Sequence, residues 1–160
     1  MVEEGLPGRT AQYDDPVMGA IMNGRPALRM ALQSHGPIDV MTLMLGTNDV
    51  KTRFASTPAE VVAGVAGLLD VAMSAEYQTR HDGFKILLIC PPPVIETGPI
   101  ATEFWGGAAR SQALPMRCTS CARACRAQRS RNSLMLIAFP PSVSTDAMHS
   151  GPPRRLSGSA

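Results

Sequence analysis

No stretch of this 160-residue chain approaches the ~20 consecutive apolar residues that a membrane-spanning helix needs, so a helical membrane protein is not expected. The N-terminal MVEEGLPGRT is acidic and has no apolar core of the kind a secretory signal carries. A cytoplasmic protein is the expectation, and in that setting four Cys do not argue for a disulfide framework. The glycines of Gly5-Leu6-Pro7-Gly8 have neither the spacing nor the Lys of a phosphate-binding loop. Beyond Ala109 there is no Lys and no Glu.

What is present is enough for one domain with a real core. Apolar residues make up 44% of the chain, which argues against wholesale disorder. The formal net charge of +2 conceals a division. Met1–Ala109 holds 7 Lys/Arg against 12 Asp/Glu, whereas Arg110–Ala160 holds 8 Arg against Asp146 alone. Two readings of that second segment stay open. A basic tail can meet nucleic acid or an anionic membrane; the same Arg/Pro/Ala/Ser mixture also arises when GC-rich DNA is translated out of frame. Its RCTSCARACR places Cys118, Cys121 and Cys125 on roughly one face of a helix. Three local ligands with no nearby His make a poor metal site, so no metal is expected. Cys90 reads as a small core residue, and Met18, Met22 and Met30 as packing. His35 and His81 read as exposed loop or helix-end residues.

The order of elements alternates. A short helix fits Pro26–Gln33, with Gly36 after its end. PIDVMTLMLG, between Pro37 and Gly46, is a near-continuous apolar run, as in a parallel strand covered on both faces. In STPAEVVAGVAGLLDVAMSAEY, Thr57 is a natural N-cap, Pro58 takes the first helical position and Glu60 completes a capping box. Val61, Val65, Leu68, Leu69 and Ala72 follow at helical spacing. Lys85–Cys90 reads as a buried strand stopped by three prolines. A further helix, kinked or broken at Pro115, is expected over 103–128, and a last strand over 133–139. This alternation predicts an α/β fold: a parallel sheet with right-handed crossovers and helices on both faces. Ligands in such sheets bind at the carboxyl ends of strands.

LMLGTND, residues 43–49, lies at one such end. Gly46 permits a sharp turn, after which Asn48 can present a neutral N–H donor suited to a developing oxyanion. By itself the tetrad also reads as an Asn-Asp turn that satisfies its own backbone.

LMLGTND after an apolar strand resembles the third sequence block of the SGNH, or GDSL, hydrolases. EEGLPGRT, residues 3–10, resembles the second block in its arylesterase and acyltransferase branch. KILLICPPP is similar to the strand and turn that follow, EFWGG (103–107) to a substrate-side segment, and DAMH (146–149) to the D-x-x-H of the final block. The likeness covers roughly residues 2–109 and is thin over 110–160, where only the strand and DAMH fit. It implies a three-layer αβα, flavodoxin-like fold formed by one incomplete domain over 1–160, and no metal or organic cofactor.

The implied chemistry is hydrolysis of small acetyl or aryl esters, or acyl transfer to an alcohol, through an acyl-serine. His149 would be the general base and Asp146 its orienting carboxylate. The Asn48 side chain and the Gly8 N–H would hold the oxyanion. Gly8 following Pro7 also reads as an ordinary turn, and Arg9 and Thr10 as a solvated loop. The family's first block, an apolar strand ending in Gly-Asp-Ser, has no counterpart: no Gly-Asp-Ser occurs in the sequence. The chain is therefore expected to lack the first strand and the nucleophile and to be inactive alone. A non-catalytic binding or assembly remnant is the alternative. A small ester is the expected partner, with no nucleic acid or membrane; a homo-oligomer stays open.

Overall fold

Three parallel strands, adjacent in chain order, organise the protein: β1 (Val40–Leu43), β2 (Lys85–Ile89) and β3 (Leu134–Ile137). The structure, a computed structural model, describes residues 1–128 and 134–137. Leu43 lies beside Leu88, and Leu88 beside Leu136. Helix α1 (Gly24–Ser34) precedes β1. Helices α2 (Pro58–Ala72) and α3 (Ala75–Arg80) join β1 to β2; α4 (Gly107–Gln112) and α5 (Leu114–Gln128) join β2 to β3.

The helix boundaries follow local chemistry. α2 begins with the expected capping box: Thr57 Oγ1 accepts from the Glu60 N–H at 3.3 Å, and the Glu60 carboxylate accepts from the Thr57 N–H at 2.7 Å. α1 starts two residues before the expected Pro26, because the Asn23 side chain accepts from Arg25 N–H at 3.0 Å and caps the helix there. Pro115 separates two helices rather than kinking one. It sits in the first turn of α5, where a backbone N–H has no helical partner to lose.

The alternation of side chains along the strands decides where the core sits. Leu43, Ile86, Leu88 and Leu134 point to one face and pack with Val65, Leu68 and Leu69 of α2 and Ala122 of α5. Each such burial stabilises by roughly 1.5–3 kcal/mol. A second buried cluster, Val50, Val61, Cys90, Phe104, Leu114 and Cys118, lies under the segment that follows Gly46. Cys90 is a core residue, as expected.

The other sheet face is open among the described residues. Val40 is 58% exposed, Met44 54% and Met135 60%. β1 was expected to be covered on both faces, with the edge of Ile38–Leu45 exposed by the missing first strand; among the described residues it pairs with β2 alone, and one of its faces is open. Strands that succeed one another in order, joined by right-handed crossovers, place every crossover helix on the same side. Cover for the second face requires a reversal of strand order, which 1–128 and 134–137 do not contain.

Other expectations change. His81 is buried: its Nε2 lies 2.9 Å from the Leu32 carbonyl and its ring meets Phe84 edge-on at 5.5 Å. The turn after α3 folds back under α1, which a sequence window does not reveal. Met22 is buried as packing, but Met18 and Met30 are exposed.

Candidate active site

Three segments meet at the carboxyl end of β1. The chain leaves the strand, turns at Gly46 (φ +119°) and enters a short 3-10 turn, Asn48–Val50. Against it lies the segment Gly8–Ala11. Asn48 Nδ2 donates to the Arg9 carbonyl at 3.0 Å. Asp49 accepts the Ala11 N–H with both carboxylate oxygens, at 3.0 and 2.9 Å. Between those two anchors, Thr10 donates its N–H to the Met22 carbonyl at 2.8 Å and accepts the Gly24 N–H at 2.9 Å. Thr10 is consequently buried, not a residue of a solvated loop.

A carbonyl partner can only accept, so the nitrogen of the Asn48 amide must face Arg9. One of its two hydrogens is used there, and among the described residues no other partner takes the second. Gly8 has φ +95°, and a Cβ at this position would stand 2.9 Å from Met18 Cε. Its turn is closed by the Arg9 N–H, which donates to Leu6 at 3.0 Å, and the Gly8 N–H itself has no partner among the described residues. The structure thus brings Gly8 and Asn48 into one loop cluster, each with an unused donor. Asp146 and His149 lie outside the described residues.

A third segment, EFWGG, is held to the same loop by charge. Lys51 Nζ lies 3.0 Å from Glu103 and 5.5 Å from the centre of the Phe104 ring. Arg53 reaches Glu103 at 2.6 Å and Asp15 at 3.6 Å. The Lys51 ammonium bonded to Glu103 holds that carboxyl below its usual range, against a small opposing effect of burial. Burial pushes Asp15 upward, but the Val17 and Met18 N–H groups, with Arg53 and Lys51, outweigh it and hold Asp15 low. Arg110 donates to the Val50 carbonyl at 2.7 Å and to the Trp105 carbonyl at 3.2 Å, and Thr52 donates to Trp105 O at 3.2 Å. Trp105, 73% exposed, is held by its backbone while its indole faces outward.

Sequence reasoning passed over Asp49, Lys51, Arg53 and Asp15. The one local signal was Asp49, a charged residue directly after a buried strand. Its burial pushes the carboxyl up to about 6, against the Ala11, Asp49 and Gln12 N–H groups. The cysteines of α5 face inward. Cys118 is pushed far up by its bond to Cys90 and by burial, and Cys121 by burial, to about 12. These are thiols of a core, and among the described residues no three His, Cys, Asp or Glu gather as a metal site. A groove of about 420 Å³ lined by Arg25, Arg29 and Tyr77 lies among α1, α2 and α3 and includes none of the residues above.

Solved structures share this fold. The chain is 32% identical to a carbohydrate acetylesterase from Sinorhizobium meliloti, with a TM-score of 0.73 over 84% of this chain and 62% of that one. It is 28% identical to the aryl esterase of M. smegmatis, with a TM-score of 0.70 over 88% of this chain and 66% of that one. These esterases belong to the SGNH, or GDSL, hydrolase family, and the chain shares their fold. It spans less than two thirds of the length of these two SGNH relatives. No family model and no curated protein matches the chain. No helix among the described residues is long and apolar enough to cross a membrane.

Proposed function

We propose that the chain forms the oxyanion-binding half of a carboxylic ester hydrolase acting on small acetyl or aryl esters. The observation that carries this reading is the pair of unused donors, Gly8 N–H and the second Asn48 Nδ2 hydrogen, on loops clamped together at the end of β1. Both are fixed before any substrate arrives, so no reorganisation is needed as the carbonyl oxygen gains charge. The acetylesterase and aryl esterase likeness supports the substrate class. In the same reading, His149 takes the proton from a serine hydroxyl and Asp146 orients it. An acyl-serine then passes its acyl group to water, or to an alcohol in a transferase.

The serine is not among these 160 residues in a Gly-Asp-Ser setting. Among the described residues the edge of β1 is free and the face beside Val40 and Met44 is open, which supports a nucleophile-bearing strand seated there. Alone, the chain would then turn over no ester. The cytoplasmic setting and self-association through the open face belong to the same proposal. A serine-reactive fluorophosphonate and 4-nitrophenyl acetate test it. The chain alone should give neither label nor turnover. A version fused to an apolar strand ending in Gly-Asp-Ser should give both, through that serine. A fused version that folds cooperatively but stays unlabelled would leave the non-catalytic remnant as the better reading, which the missing serine favours.

A further inference from the structure

The geometry points to Asp49 as the positioning residue of this site: its buried carboxylate grips the Ala11 N–H with both oxygens and so holds Gly8–Ala11 against Asn48. The inference rests on the reading of Gly8 and Asn48 as oxyanion donors, but its physical content is separate from it. Asn48 and Asp49 are adjacent, and their partners Arg9 and Ala11 are two residues apart. The two loops are therefore pinned at two points, one a carbonyl accepting from Asn48 and one an N–H donating to Asp49. Two points fix an orientation where one would leave a pivot. Asp49 is fully buried, and neither of its oxygens is left without a partner. Among the described residues, its hydrogen-bond partner is the Ala11 N–H, and the groups that lower its pKa are the N–H donors of Ala11, Gln12 and Asp49 itself. A buried carboxylate with no cation costs free energy, and an amide would accept the same N–H. Its role is thus that of an acceptor of fixed direction rather than a charge.

The competing account is that the Thr10 bridge to Met22 and Gly24 holds the segment unaided. Nitrogen-15 NMR of the full chain separates the two. In the unsubstituted chain the Ala11 amide and the bonded Asn48 side-chain hydrogen should shift together between pH 4 and 8, with a shared midpoint near 6. Asp49→Asn should keep the dispersed spectrum and abolish both titrations. Asp49→Ala should speed Ala11 hydrogen exchange about tenfold or more, and move the Asn48 side-chain signals toward those of a free amide, while Ile86 and Leu88 stay protected. If the Asp49→Ala chain does not fold, the titration and its loss in Asp49→Asn decide alone. Ala11 and Asn48 signals that do not follow the Asp49 carboxyl as it titrates, or unchanged signals in a folded Asp49→Ala chain, would overturn the assignment. None of these readouts uses ester turnover, so a failed esterase reading leaves the clamp standing and a failed clamp leaves the esterase reading standing.

Discussion

At Gly8 an added methyl group meets both backbone strain and a neighbour. Its φ of +95° already disfavours any side chain, and Met18 Cε would stand 2.9 Å from an added Cβ. Gly8→Ala should therefore destabilise by about 1–2 kcal/mol from backbone strain alone, and chemical denaturation would read it. Asp49 acts through a proton instead. Its folded-state pKa of about 6 lies above the ordinary 3.8. Between those values the folded chain keeps a proton that the unfolded chain has released. The stability this contributes is complete below about 3.8 and lost as pH rises through about 6. A shift of this size corresponds to roughly 2–3 kcal/mol. Asp49→Asn should abolish that fall, so the stability difference between pH 4.5 and pH 7 should shrink on substitution. Asp15 and Glu103, held low, give the opposite slope, lost only as pH falls through their depressed values, so the two contributions separate by pH.

At the scale of elements, α2 carries the most. Its capping box contributes about 1 kcal/mol, so Thr57→Ala should cost that much. Leu68→Ala, which empties a fully buried position of the main core, should cost about 2–5 kcal/mol. Thermal melts of the two variants would rank them, and a Leu68→Ala cost no larger than that of Thr57→Ala would contradict the placement of the core. α2 was also the element most legible in sequence, because its cap, proline and apolar spacing are all local signals. β2, β3 and the helix break at Pro115 were legible for the same reason. The open face of β1 was not: an apolar run states what a strand can bury, and only the tertiary neighbours decide whether each face is covered. Asn48 could be placed at a strand end from GTND alone, but its bond to Arg9 spans 39 residues and has no signature in a window of sequence. His81 was misread on the same ground, since its partner is the Leu32 carbonyl, 49 residues away.

At the scale of the molecule, the described residues form a three-stranded parallel sheet with one buried and one open face, ending in a clamped pair of donors. An open apolar face of this kind marks a surface meant to be covered. Val40→Lys with Met44→Lys should lower concentration-dependent association in sedimentation without lowering the melting temperature of the monomer; association unchanged by both substitutions would place the contact elsewhere. The central claim, that Asn48 and Gly8 stabilise an oxyanion, is tested most directly by one kinetic ratio. In the chain completed by a strand ending in Gly-Asp-Ser, kcat for 4-nitrophenyl acetate would be compared before and after Asn48→Ala. A loss of about 10²–10³-fold, corresponding to the roughly 2.7–4 kcal/mol that one oxyanion donor supplies, is the expected result. An Asn48→Ala enzyme that folds and turns over as fast as its parent would contradict the account.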